Sequence, residues 1–168
     1  LVDSASWYFD QWPGALYLAL TRICTFMAYF LSACCGITLV SYILLHIPLD
    51  KKEKHILIGI VTALFVIYLL ILVTSQLNGM IYTIDDNNYY HWGDYYWMHQ
   101  ALLASPVVIT VAAVLRHRKK VGSKNALIFS SYVLLPIATL LFNPNHLELD
   151  LASHAMVLSL LLIYVNIH

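Results

Sequence analysis

Long apolar runs separated by short polar connections dominate this sequence of 168 residues. The runs are roughly 15–46, 56–75, 94–115, 126–142 and 151–167. A helix rises about 1.5 Å per residue, so about 20 residues cross a hydrocarbon core of about 30 Å. The runs lack the polar–apolar alternation of membrane-barrel strands, and membrane-embedded backbone must pair within its own segment. We therefore predict transmembrane helices, with kinks at Pro106 and Pro136.

The polar connection at 79–93 has a different pattern. Residues with high β propensity at 82–84 and 89–90 flank four turn-forming residues at 85–88. This order predicts a small β-hairpin, which could cap a pocket among the helix ends. Because Tyr and Trp also concentrate at the headgroup level of a bilayer, an aromatic belt is the alternative interpretation.

The charged residues are distributed unequally between the connections. Eight of the nine basic residues lie in two clusters, at 51–54 and 116–124, whereas seven of the nine acidic residues lie in other connections. Lys and Arg beside a transmembrane helix are retained on the cytoplasmic side. The first complete helix is therefore predicted to run from outside to inside. The connection 79–93 is predicted to lie outside, and His168 in the cytoplasm.

The composition also indicates a membrane protein. Hydrophobic residues make up 61% of the chain and charged residues 11%, which an ordinary soluble domain would not show. The formal net charge is zero, so no basic field indicates nucleic-acid binding, and the basic clusters suit anionic lipid headgroups. All three cysteines lie in the first apolar run, which favours buried thiols over a disulfide or a zinc site.

Arg22 is the only charged residue deep within a predicted span. Such a residue is a functional hypothesis with an expected partner nearby. Two interpretations stay open: a structural ion pair or snorkelling to the interface, and a ligand contact. Thr25, Tyr29, Ser32 and Gly36 share its helix face, and small or hydroxylated residues on one face favour packing between membrane helices; if Arg22 instead faces a cavity, Thr25 and Tyr29 line it too. The acidic candidates for a pair are Asp10, Asp85, Asp86, Asp94 and Asp150.

Four histidines are predicted near the outer side: His91, His99, His146 and His154. A single histidine is usually a hydrogen-bonded structural residue, but together with the nearby aspartates they permit a metal or proton-sensing site. The sequence contains no zinc-protease spacing, phosphate loop or nucleophile elbow. We therefore predict no catalytic residue, no metal and no cofactor.

In three stretches, residues 6–14 (SWYFDQWPG), 85–93 (DDNNYYHWG) and 159–168 (SLLLIYVNIH), the sequence resembles the N-terminal membrane regions of many Gram-positive bacterial diguanylate cyclases (GGDEF proteins). Residues 85–93, DDNNYYHWG, resemble an IDENNxYHRG-like block of that family. Residues 6–10, SWYFD, followed by Pro13 and Gly14, resemble its SWxxDGxPG pattern. Residues 159–168, SLLLIYVNIH, are similar to its LLIYINIQ exit helix. The matches span almost the whole chain in the expected order.

The resemblance implies a longer parent protein with about seven spans. Residues 1–9 would be the tail of an earlier helix, so the chain would be N-terminally truncated. A cytoplasmic output domain such as a cyclase would follow His168 and would form a homodimer. The cyclase motif itself is absent from this sequence, so the segment is expected to be non-catalytic. Trp92 stands where the family pattern has Arg, so an anion contact by that Arg is not implied here.

These observations predict an all-α integral membrane protein with about five complete transmembrane helices, the tail of an earlier one, and a small extracellular hairpin-like cap. Residues 1–168 would form one sensor domain in the cell membrane that binds a small extracellular or membrane-dissolved ligand. The alternatives are a transporter or transporter subunit, although no inverted repeat is visible, and an intramembrane metal-dependent enzyme. The predicted ligand-binding residues are Asp10, Arg22, Asp85, Asp86, Asn88, Tyr89, His91, Tyr96 and His99.

We expect a reporter fused after His168 to be active only in the cytoplasm, because the basic clusters fix the orientation of the helices. A fluorescent protein and a phosphatase, which are active on opposite sides of the membrane, provide the measurement. A fusion within 79–93 serves as the control and should show the reverse result. Phosphatase activity after His168 would contradict the topology.

Overall fold

The computed structural model describes Phe9 and residues 12–122 of the chain. Three of its helices are long and apolar enough to cross a membrane. They are α1 (Ala15–His46), α2 (Lys51–Asn78) and α3 (Tyr96–Arg116), and the short helix α4 (Arg118–Val121) follows them. The first three predicted helices are confirmed as helices. The predicted helices at 126–142 and 151–167, with Pro136, lie outside the described residues.

Helix α2 is longer than its apolar run because polar residues at both ends favour helix. Lys51 and Lys52 are good helix formers, and Glu53 complements the helix dipole in the first turn. Gly79 ends the helix with a φ of 67°, and its N–H donates to the carbonyl of Ser75 at 2.9 Å. A glycine with positive φ just past the last helical residue is a common stop signal.

The predicted hairpin is present. Strand β1 (Tyr82–Ile84) pairs antiparallel with β2 (Tyr90–Trp92), and Thr83 lies opposite His91. Tyr82 and Ile84 are buried and Thr83 is exposed, which is the alternation expected of a strand with one face on a core. The second strand begins at Tyr90, one residue later than the sequence pattern suggested.

The described residues form two compact units, and the chain passes between them within α1, α2 and α3. The hairpin unit comprises the residues up to 38 together with 59–106. Its buried core consists of Ala33, Tyr68, Leu72, Ile81, Tyr82 and Ile84. The basic unit comprises 39–58 and 107–122. Its most buried apolar side chains are Leu39, Val40, Ile43, Leu44, Ile47, Ala113, Val114 and Val121.

Gly93 lets the start of α3 approach the end of α2. The Gly93 N–H donates to the carbonyl of Ile81 at 2.8 Å, and the Tyr95 N–H donates to that of Met80 at 3.0 Å. A Cβ atom on Gly93 would overlap the backbone oxygens of Gly79 and Met80. The hairpin therefore closes on itself only with glycine at this position.

We expect Gly93→Ala to lower stability by roughly 1–3 kcal/mol, the usual cost of forcing an extra carbon into packed structure. The measurement is tryptophan-fluorescence thermal unfolding in detergent. Gly59→Ala is the matched control, because a Cβ atom there meets nothing within 4 Å. Equal unfolding temperatures for the two variants would contradict the close approach.

Candidate ligand-binding site at the hairpin

Asp85 organises the hairpin turn. Its Oδ1 accepts hydrogen bonds from the backbone N–H groups of Asn87 at 3.0 Å and Tyr89 at 2.9 Å. Its Oδ2 lies 3.2 Å from Nε2 of His91. The Tyr89 N–H is the main reason why the pKa of Asp85 lies below its ordinary value. The carboxylate of Asp85 is therefore hydrogen-bonded within the turn and stabilises the backbone conformation of residues 87–89.

Asn88 joins the turn to the segment before α1. Its side chain is only 2% exposed, and its φ of 64° is unusual for a residue other than glycine. The Nδ2 group donates to the carbonyls of Phe9 at 2.6 Å and Trp12 at 3.3 Å. Its Oδ1 is buried and has no hydrogen-bond partner in the part of the chain that the structure describes. The Asn88 side-chain amide therefore joins the turn to the segment before α1, and its oxygen remains available as a hydrogen-bond acceptor.

Arg22 joins α1 to the hairpin by a different bond from the predicted one. Its Nη2 donates to the carbonyl of Ile84 at 3.2 Å. No described carboxylate lies within 4.0 Å of it, so an ion pair with Asp85, Asp86 or Asp94 is not formed. The other two candidates, Asp10 and Asp150, lie outside the described residues. Arg22 therefore keeps its positive charge without a counter-ion from the described acids.

Tyrosines fill the space beneath the hairpin. The ring of Tyr29 stacks on that of Tyr82 with centroids 5.1 Å apart, and Tyr82 stacks on Tyr90 at 5.9 Å. The hydroxyls of Tyr29 and Tyr90 lie 2.6 Å apart. Burial raises the pKa of Tyr82, which keeps its phenol protonated. The sequence pattern placed Tyr82 and Tyr90 in the predicted hairpin and Tyr29 on the helix face of Arg22, but it did not predict that their rings stack.

Helix α2 supplies polar contacts that the sequence analysis missed. Ser75 Oγ accepts from the N–H of Ile81 at 2.8 Å, and Gln76 Nε2 donates to the hydroxyl of Tyr82 at 2.7 Å. The hydroxyl of Tyr68, about two turns earlier on α2, donates to the carbonyl of Tyr29 at 3.3 Å. Tyr68 and Ser75 are seven residues apart and share one face. That spacing was the available signal for a polar stripe.

His99 lies buried among aromatic rings, and its side chain meets Tyr29 edge-on at 4.6 Å. The rings of Tyr96 and Tyr68 lie 5.5 Å and 5.6 Å from it. His99 is 5% exposed, and its Nδ1 is buried with no hydrogen-bond partner within Phe9 and residues 12–122. Tyr96 in turn stacks on Trp92 with centroids 5.4 Å apart. A buried imidazole nitrogen without a partner is rare enough in proteins to require a reason.

The remaining predicted residues occupy other positions. Asp86, Tyr89 and His91 are exposed on the hairpin, away from its buried face. Asp10 lies outside the described residues. The structure therefore brings Arg22, Tyr96 and His99 together with the hairpin's inner face.

A small cavity lies deeper in the hairpin unit, lined by residues such as Gly36, Tyr68, Leu102 and Pro106. Its volume is about 20 Å³, which is room for about one water molecule. Pockets for small molecules usually measure about 300–1,000 Å³. A ligand of that size would enter this cavity only if the surrounding side chains moved.

Within the described residues, no three His, Cys, Asp or Glu side chains are grouped so that they could hold a metal ion. His91 and Asp85 form a pair only. His146 and His154, which entered the sequence-based hypothesis of a metal or proton-sensing site, lie outside the described part of the chain.

No protein-family model, curated protein or solved structure matches this chain. The resemblance to cyclase membrane regions stays a prediction from the sequence.

We expect the hairpin turn to loosen in acid. A carboxyl whose folded pKa is lowered stabilises the fold above its ordinary value, about 3.9, and this contribution disappears as pH falls through the lowered pKa. The backbone amide NMR signals of Asn87 and Tyr89 should therefore shift below about pH 4. Asp85→Asn, which keeps an acceptor oxygen, should remove the pH dependence, whereas Asp86→Asn should not. A shift that persists in Asp85→Asn would contradict this assignment.

Proposed function

We propose that this chain is a membrane sensor domain, a bundle of about five complete transmembrane helices with the hairpin on the outer side. Its last helix would pass a signal to a cytoplasmic output domain such as a diguanylate cyclase. Charge supports this orientation. The described part of the hairpin unit carries Arg22 against three aspartates, a formal charge of −2, whereas the described part of the basic unit carries +5 from seven basic and two acidic side chains.

The observation that carries the proposal is that the hairpin is connected to each described helix of its own unit. It bonds to the segment before α1 through Asn88, and to α1 through Arg22. It bonds to α2 through Ser75 and continues into α3 through Gly93. A ligand that binds one hairpin position better than another would shift the population of helix arrangements.

The unpaired polar groups support a polar ligand. Thr21 Oγ1, Asn88 Oδ1 and His99 Nδ1 are buried without hydrogen-bond partners among the described residues, and each could bond to a bound molecule. Arg22 adds a positive charge near the same hairpin. We therefore infer a small polar ligand with an anionic group. The aromatic side chains around His99 would supply contact area.

The test is the cyclic di-GMP content of cells that express the full-length protein. We expect Arg22→Ala and Asp85→Ala each to change this output by about fivefold or more, a usual size for coupling between sites. Leu77→Ala is the control, because Leu77 is 91% exposed on α2 and takes part in none of the hairpin bonds described above.

Protein abundance in the membrane should be measured for each variant, so that lost signalling is separated from lost folding. Unchanged cyclic di-GMP in both Arg22→Ala and Asp85→Ala, at normal abundance, would contradict the proposed role of the hairpin.

A further inference from the structure

The basic unit holds two charged segments that the sequence separates by about 60 residues. Glu53, near the start of α2, lies 3.1 Å from Nε2 of His117, and its Oε1 lies 3.9 Å from Nη1 of Arg116. The side chains of Glu53 and His117 are 29% and 15% exposed, so this contact is partly buried. The contact brings the start of α2, with Lys51 and Lys52, close to the cations of α4, which are Arg118, Lys119 and Lys120.

Some of the positive charges in this region are already used within the protein. Lys54 Nζ donates to the carbonyl of Leu45 at 2.8 Å, in the last turn of α1, where carbonyl groups lack helical partners. Arg116 faces Glu53. Five further cations are exposed and make no side-chain hydrogen bond or ion pair with another described residue: Lys51, Lys52, Arg118, Lys119 and Lys120.

We propose that these five residues form one binding surface for the phosphate groups of anionic phospholipids. Of the two acids in this unit, Glu53 contacts His117 and Arg116, so it opposes an anion less than a free carboxylate would. Asp50 is exposed nearby and leaves the charge of the unit strongly positive. A surface of this charge suits two phosphates better than one.

Exposed apolar side chains next to the cations favour a lipid over a soluble polyanion. Ile56 is 53% exposed and lies four residues after Lys52, on the same face of α2. On α3, Val108 is 54% exposed and Leu115, directly before Arg116, is 52% exposed. A lipid could therefore place its phosphate on the cations and its acyl chains along these residues. Inorganic polyphosphate or nucleic acid has no acyl chain that could contact these exposed apolar side chains.

The test uses the whole chain in nanodiscs of phosphatidylcholine with a minor fraction of cardiolipin, a lipid with two phosphates. Native mass spectrometry counts the lipids retained by the protein. We expect retained cardiolipin with the unaltered chain. Each cation near a membrane surface contributes about fivefold, so Arg118→Gln/Lys119→Gln/Lys120→Gln should lose roughly a hundredfold in affinity. Binding should also weaken in high salt.

The matched control is Arg118→Lys/Lys119→Arg/Lys120→Arg, which keeps every charge and should retain cardiolipin. The three altered positions are exposed, and circular dichroism checks that the helices persist. Equal retention in the glutamine variant would overturn the proposal. It would also be overturned if inorganic tripolyphosphate bound in pure phosphatidylcholine as tightly as cardiolipin does, because the ligand would then be a soluble polyanion.

Discussion

The hairpin unit depends on the pairing of backbone polar groups at the points where apolar helices end. A buried N–H or carbonyl without a partner costs as much as a lost hydrogen bond, and helix ends leave several such groups. Arg22 donates to the carbonyl of Ile84, and Ser75 accepts from the N–H of Ile81. Asn88 serves the segment before α1 in the same way. Each bond joins a helix or its leading segment to the hairpin, so the position of the hairpin is fixed by several helices at once.

The local elements could be predicted from the sequence because their causes are local. Apolar runs of sufficient length gave α1, α2 and α3, and β-formers around a turn-forming run gave the hairpin. Their ends were less accurate. The α2 helix begins at Lys51 because charged helix formers extend it past the apolar run, and β2 begins at Tyr90 because Asp85 binds the N–H of Tyr89 in the turn.

The contacts that build the site could not be predicted, because they join residues far apart in sequence. Arg22 and Ile84 are 62 residues apart, Tyr29 and Tyr90 are 61 apart, and Asn88 lies 79 residues from Phe9. A single sequence without structure does not say which tyrosine meets which. The prediction of an acidic partner for Arg22 was wrong for Asp85, Asp86 and Asp94 for the same reason. Asp85 had closer donors in its own turn.

The bond from Arg22 to the backbone carbonyl of Ile84 suggests how the hairpin could respond to a ligand. The bond from Arg22 to the carbonyl of Ile84 joins an ionised donor to a neutral acceptor, whereas an anionic group would add charge–charge attraction and could accept two parallel N–H bonds from the guanidinium. An anionic group that reached Arg22 would therefore compete well for its guanidinium and weaken the bond to Ile84. Ile84 is the last residue of β1 and is buried. Weakening its bond to Arg22 would therefore act directly on the packing between α1 and the hairpin. The bond that positions the hairpin is thus also the one that an anionic ligand could most readily exchange.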